Sequence, residues 1–496
     1  MGQGLCRSGR VASLVVSITA VVCSLLLIRV PASSQTPPAK HRVDASTQLP
    51  ELVFVQAPRV VGGKLSQRFP EGSSIALLNP PSQPDKILPL TDGFFAAADP
   101  QISFDGTRVL FSGQKNQNEH WQLWEMDLDG GQKRQITQCV QDCLRGAYLP
   151  ADEIAVTVEE ASGKQTVSHL AVEKKDGSSF HRITFGTASF QLETVLRDGR
   201  IVASAPWPLI GGEAGGSPRM LYTLRPDGTA LESFRCEHKE TGVQADAEEL
   251  TDGSLIFVRK ALKESPAGGE LVRIAQGDLH RTLMGARAIG YESPRQVSDD
   301  KLVVAKQSSS SGAKFDLYLF NLKTGALGER VHADQHLSSI QPAVVAPHAV
   351  PKHYWDTLNP ESPTGNFISL NSYMSADAPH GRIGTSISRV RVFALNAVDG
   401  TERNLGEAPV EEDGSFFVQI SANSPVRFVL LDAKGQTIRE EHSWIWARPG
   451  EERGCTGCHG DKAAAPDNHW PMTLRRFDTP IALGDTNHGS GTMQAK

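Results

Sequence analysis

Near the C-terminal end of the 496-residue chain lies Cys455-Thr456-Gly457-Cys458-His459-Gly460. Two thiols three residues apart, followed directly by a histidine, form the attachment signature of a c-type haem. Cys455 and Cys458 would become thioethers to the vinyl groups, and His459 would ligate the iron from the proximal side. Other chemistries use the same spacing. A structural zinc site needs a second ligand pair at matching spacing, and the chain has no other Cys-x-x-Cys. A thioredoxin-like pair needs a βαβ context, whereas the flanks are strand-like and rich in Pro and Gly. A plain Cys455–Cys458 disulfide would close a very small ring. One covalently attached haem c is the expectation, with His469 first and Met472 second as distal ligand and His488 also within reach in sequence. For each of these three the plain alternative is a solvated tail residue. Trp444, Trp446 and Trp470 are candidate apolar walls, although core packing explains the first two equally well.

Haem c is attached outside the cytoplasm, and the N-terminus is consistent with export. Arg7 and Arg10 precede an uncharged apolar run from Val11 to Ile28, and Pro31-Ala32-Ser33-Ser34 supplies small residues for cleavage. Residues 1–34 therefore read as a signal peptide, with an uncleaved anchor as the alternative, and 35–50 as a Pro/Ser/Thr-rich linker. The expected location is the periplasm or another exported compartment, and the membrane is touched only through this segment. In that setting Cys139 and Cys143 are expected to form a local disulfide, and Cys236 to be a packed thiol. The net charge of −6 offers no basic footprint for nucleic acid.

The elements that must hold the motif repeat. Asp99–Phe111 and Trp121–Thr137 spell strand, Asp105-Gly106 turn, strand, loop, strand, Asp129-Gly130 turn, strand. Looser copies carry Asp176-Gly177, Asp198-Gly199, Asp227-Gly228 and Asp252-Gly253, and a fifth spans Ser298–Phe320. Each is the size of a four-stranded propeller blade. Strands from both ends complete a sixth: Glu51–Val55, Ser74–Leu78 and Lys86–Thr91 as its second to fourth, and Ile340–Val345 as its first. The fold class is thus all-β: a six-bladed propeller over 51–348 with three-plus-one closure, then a small β-sandwich over 349–447, then a haem-binding segment over 448–496.

The repeats resemble the TolB-like, WD40-like propeller family, a fold that by itself implies no reaction. The stretch from Thr364 to Gly460, including Arg448-Pro449-Gly450-Glu451 before the motif, resembles the hydrazine synthase alpha-subunit family, and the propeller looks like that family's middle domain. The resemblance implies a multisubunit, multihaem assembly that condenses nitrogen compounds, with this haem region in the active centre. In the family a tyrosine four residues beyond the motif histidine can take the iron and leave the histidine for zinc. Ala463 stands at that position here, so His459 is assigned to iron and no zinc site is carried over. The 37 residues after His459 are short for a cytochrome domain, so the porphyrin is expected to lean on the sandwich and the propeller edge. Three functions compete: periplasmic electron transfer with a redox partner protein, a haem enzyme acting on a small nitrogen or oxygen species, and a propeller-based binding module with an auxiliary haem. No hydrolytic triad or carboxylate pair is read from the chain, and its status as an enzyme stays open.

Overall fold

A computed structural model describes residues 50–78, 86–162, 165–210, 217–235, 241–262, 268–275, 281–285, 290–309, 312–375, 378–396, 400–457 and 469–484. The signal segment, Cys236, Cys458, His459, Ala463 and His488 lie outside them. Regular structure among the described residues is strand, apart from short 3-10 turns at Leu65–Gln67, Pro379–Gly381 and Met472–Arg475. The all-β expectation is borne out. None of the described helices is long and apolar enough to cross a membrane.

Antiparallel four-stranded sheets follow one another along the first two thirds of the chain. One comprises Ala96–Ile102, Arg108–Gln114, Gln122–Asp127 and Arg134–Gln135, hydrogen-bonded in that order. Two later sheets are linked by a single parallel bridge between Arg219 and Val243. The last sheet is made from both ends: Ser338–Val344 pairs with Leu52–Ala57, followed by Ser74–Leu78 and Ile87–Pro89. Each Asp-Gly turn is built by side chains. Ser103 Oγ donates to Asp105 Oδ1 at 2.6 Å, and Thr107 N donates to the same oxygen at 3.1 Å. These bonds to the carboxylate hold Asp105 down to about 2.

The innermost strand of every sheet carries an irregularity at the same level. The ladders shift at Ala98/Gln101, Leu144/Ala147, Leu192/Thr194, Ala245/Glu248, Glu292/Arg295 and, on the closing strand, opposite Val53/Val55. The bulges turn Asp99, Arg145, Glu193, Asp246, Ser293 and Gln341 towards one small central cavity, which all six line. Side chains there close the amides that the bulges leave unpaired. Gln341 Oε1 accepts from Asp99 N at 2.9 Å, Glu193 Oε2 from Asp246 N at 2.7 Å and Asp246 Oδ2 from Ser293 N at 3.1 Å. Arg145 bridges onward to Glu193 Oε1 at 3.1 Å. Six sheets around one axis make the structure a propeller.

Ala346 to Pro363 form a strap that leaves the closing strand and crosses the propeller. His348 N donates to Phe104 O at 2.9 Å and Lys352 N to Arg197 O at 3.0 Å. The strap ends at Thr364–Ser369, the first strand of a sandwich of two four-stranded sheets. One sheet orders Glu402–Pro409, Arg389–Leu395, Val426–Leu431 and Thr437–Glu440. The other orders Glu452–Cys455, Thr364–Ser369, Phe416–Ser421 and Ile481–Ala482. Phe367, Val390, Val392, Val418, Ile420 and Leu430 fill the space between them. The boundary drawn at 448 from the sequence is corrected: Glu452–Cys455 and Ile481–Ala482 are edge strands of the sandwich, running parallel to the inner pair. Both inner strands had an open edge whose amides and carbonyls need partners, and these two segments supply them.

Trp446 is fully buried, yet it belongs to the propeller core. Its ring meets Phe185 at 5.6 Å and Phe190 at 5.8 Å, edge to face, and its Nε1 donates to Gly228 O at 3.4 Å. Two bonds tie the neighbouring backbone, Trp444 N to Leu209 O at 2.9 Å and Leu209 N to Ser443 Oγ at 3.2 Å. These tryptophans join the sandwich to the propeller and are corrected from haem walls to seam residues. Trp446→Ala is expected to destabilise the protein by about 3–5 kcal/mol, because a large buried ring leaves a cavity. Chemical denaturation measures the loss, and limited proteolysis should show the strap becoming cleavable.

Glu173, in the strand Gln165–Lys174, is buried, and its Oε2 has no hydrogen-bond partner. Burial pushes its carboxyl up to about 7 from an ordinary 4.5. The folded state therefore holds the proton more tightly than the unfolded one. The stability this gives is complete below the ordinary value and is lost as pH rises through about 7. Glu173→Gln should remove that loss, so wild type minus variant stability, read from melting curves, falls between pH 5.5 and 8.

Candidate functional site

Cys455 closes the edge strand Glu452–Cys455 opposite Ser369, and Leu370 N donates to Cys455 O at 2.8 Å. The approach to it is clamped. Arg448 is buried and donates through Nε to Asp227 O at 2.8 Å, through Nη1 to Asn423 Oδ1 at 2.6 Å and through its amide to Glu451 Oε2 at 2.7 Å. Arg453 reaches Trp446 O at 2.7 Å and Leu231 O at 2.6 Å. Gly228, in the facing Asp-Gly turn, has a φ of 82°, and a Cβ there would stand 2.6 Å from Ile183 O and 3.1 Å from Arg448 Nε. The Arg448-Pro449-Gly450-Glu451 wording is thus a structural clamp that sets where Cys455 falls.

Beyond Cys455 the chain turns against another loop. A Cβ on Gly457 would lie 2.7 Å from both the Cβ and the carbonyl oxygen of Met374, and 3.1 Å from Asn371 O. That loop continues the contact chain, with Ser372 N donating to Gly414 O at 2.8 Å. The adjoining Asp413 gathers the next group. Its Oδ2 accepts from Met472 N at 2.8 Å and faces His469 Nε2 at 3.1 Å, while its Oδ1 accepts from Ser415 Oγ at 2.6 Å. Burial pushes the Asp413 carboxyl up, but the bonds from Ser415, Met472 and His469 outweigh it and hold the group below its usual range.

The structure therefore brings Cys455, His469 and Met472 to one end of the sandwich, with Met374 and Asp413 between them. His469 is half exposed and spends its Nε2 on Asp413, while Met472 opens a 3-10 turn. Trp470, beside His469, is 67% exposed. Cys139 and Cys143 are joined by a disulfide with Cα atoms 6.2 Å apart. Sequence reasoning missed Met374, which carries no motif, and Asp413 as an anchor, since its Asp-Gly pair reads only as a turn.

A cavity of about 500 Å³ lies between the propeller turn and the sandwich edge, with Cys455 in its wall. This volume is within the range of small-molecule and cofactor pockets, about 300–1,000 Å³. The wall carries Ala230 and Leu231, three acids at Glu232, Glu451 and Glu452, and the arginines Arg225 and Arg453. Cys455 is not disulfide-bonded, and burial pushes its thiol pKa up, unlike the activated thiolate of a dithiol exchanger. The unbridged thiol and the two arginines are what this wall would offer a covalently tethered porphyrin, against three glutamates.

Fold and site define a propeller–sandwich protein in which Cys455, the first residue of the Cys-x-x-Cys-His motif, lies at the sandwich rim. Residues 371–460 match the family model described as the hydrazine synthase alpha subunit middle domain. The chain is 23% identical over 582 aligned residues to hydrazine synthase subunit alpha of Kuenenia stuttgartiensis, an alignment spanning 87% of this chain and 70% of that one. The solved Kuenenia stuttgartiensis hydrazine synthase superposes with a TM-score of 0.74 at 20% identity, over 86% of this chain and 71% of the other. TolB from Acinetobacter baumannii aligns over 61% of this chain and 67% of its own, at 10% identity and a TM-score of 0.43. The chain is thus similar to the hydrazine synthase alpha subunit, the likeness that its wording indicates. One expectation is corrected: the middle-domain match falls on the sandwich and motif, not on the propeller.

Asp413→Ala should free His469 and loosen the turn at Met472, at a cost of about 1–3 kcal/mol for the amides left unpaired. Faster hydrogen exchange at Met472 is the expected readout. Because the Asp413 pKa is depressed, its stabilisation is present above the usual carboxylate range and is lost as pH falls through the depressed value, so the variant should converge on wild type in acid.

Proposed function

We propose that this chain is an exported c-type haem protein that carries one haem c at Cys455 and Cys458, with His459 as proximal ligand, and serves redox chemistry related to that of hydrazine synthase. The observation that carries the reading is the unbridged Cys455 thiol, clamped at the end of an edge strand in the wall of a cavity of about 500 Å³. A haem bound there supplies one-electron chemistry at a potential set by its axial ligands. The chain's own residues do the positioning. Arg448 and Glu451 hold the approach to the motif, Arg453 fixes the strand to the propeller, and Arg225 places a positive charge in the wall for the acid groups of a porphyrin. Export rests on the N-terminal segment, and a redox partner protein is proposed because the named relative is a subunit.

A second reading is an enzyme acting on a small nitrogen or oxygen species. His469 Nε2 is engaged by Asp413, which leaves only its Nδ1 for an iron, and a haem that met neither that nitrogen nor Met472 would keep an open site for such a substrate. Optical spectra of the exported protein, oxidised and reduced, with and without carbon monoxide, separate the readings. A low-spin haem indifferent to carbon monoxide indicates electron transfer, and a high-spin haem that binds it indicates the enzyme. Absence of any covalently bound haem sinks both. Cys455→Ala should lower covalent haem, measured by haem staining of denatured protein, by at least about tenfold, and His469→Ala should leave the spectrum unchanged if the iron is open.

A further inference from the structure

At the mouth of the propeller, next to the central cavity, lies a second cavity of about 490 Å³. Phe104, Ile102, Val195, Val297 and Val344 line it with apolar surface. The strap closes one side, with Ala346, His348 and Pro351 in the wall. The acids of the mouth are already engaged. Glu248 accepts from Gln296 N at 3.0 Å and pairs with Arg295 Nε at 3.1 Å, Glu249 accepts from Arg197 N at 2.6 Å, and Asp299 accepts from Thr251 Oγ1 at 3.1 Å on the exposed rim. Arg197 is spent as well, its terminal nitrogens bonding Thr251 O and Leu250 O.

Arg295 differs. Only its Nε is used among the described residues, donating to Pro342 O at 3.2 Å and pairing with Glu248, so its two terminal nitrogens have no partner there. Arg295 and Gln101, whose side-chain amide likewise makes no bond among the described residues, line both this mouth and the central cavity. A planar guanidinium fork with free N–H groups is a carboxylate or phosphate recogniser. The three acids nearby disfavour a doubly charged phosphate, and the apolar wall calls for a hydrocarbon body. We infer that the propeller mouth binds a small organic carboxylate, its anionic group on Arg295 and Gln101 and its apolar body against Phe104 and Val344. This site is separate from the Cys455 cavity and does not rest on the haem reading. The strap that walls it continues into Thr364–Ser369, the partner of the Cys455 strand, so a bound ligand would rest on the segment leading to that partner strand.

Calorimetric titration of the full exported chain with 3-phenylpropionate, 3-phenylpropanol and 3-phenylpropylamine tests the inference, since the three probes share one body and differ in charge. The carboxylate should bind at least about tenfold more tightly than the alcohol or the amine, and Arg295→Gln should erase that preference. Ala346→Leu, which fills the mouth and leaves Arg295 in place, should abolish binding with an unchanged melting temperature. Cys455→Ala should bind as wild type does. Equal affinity for the three probes, no binding of any, or a folded Arg295→Gln protein that keeps the preference would overturn it.

Discussion

The pairing of Ser338–Val344 with Leu52–Ala57 is the contact on which the architecture depends, because it turns a row of sheets into a closed ring. Without it the first and last sheets would expose the main-chain groups of a long strand, which open sheets can only cover or blunt. Closure also places the sixth bulge, at Gln341, opposite the other five, and its side chain then both accepts from Asp99 N and donates to Asp99 Oδ1 at 2.7 Å. The axis is thus a set of buried polar groups that satisfy one another only when the ring is complete, and a partly satisfied network of this kind costs more than it contributes.

The second level of organisation is the seam. Trp446, Arg448 and Arg453 belong by sequence to the sandwich, but their partners Phe185, Gly228, Asp227 and Leu231 belong to the propeller. An apolar anchor supplies most of the contact energy, and the guanidinium groups fix orientation through main-chain carbonyls. The consequence for function is positional. Cys455 lies seven residues beyond Arg448, at the end of a strand paired on one side only, so its place is set jointly by the clamp and by Thr364–Ser369.

Much of this was legible. The Asp-Gly spacing marked the turns, since glycine accepts the positive φ at no steric cost, and Gly106, Gly199, Gly228 and Gly253 all adopt it. The alternation of apolar residues marked the strands, and the wording before the motif marked the family. The segment after 448 was misread as separate because Glu452-Arg453-Gly454-Cys455 and Ile481-Ala482 are short, polar or weakly patterned, and edge strands need no continuous apolar face. Trp444 and Trp446 could not be assigned from the sequence, because a tryptophan near a haem motif and one packed in a core share the same apolar demand.

By itself the amino-acid sequence determined the class of the fold and the closure by its two ends, because these follow from local turn chemistry and strand period, and the wording from Thr364 to Gly460 carried the likeness to the hydrazine synthase alpha subunit. Only the tertiary structure decided that His469 faces Asp413, that Met374 packs on Gly457, that Trp446 is a seam residue and that Arg295 keeps its terminal nitrogens free of partners among the described residues at the propeller mouth. Those outcomes depend on which groups from distant strands compete for the same buried partner, and that competition is settled by the geometry of the closed ring and of the sandwich docked against it.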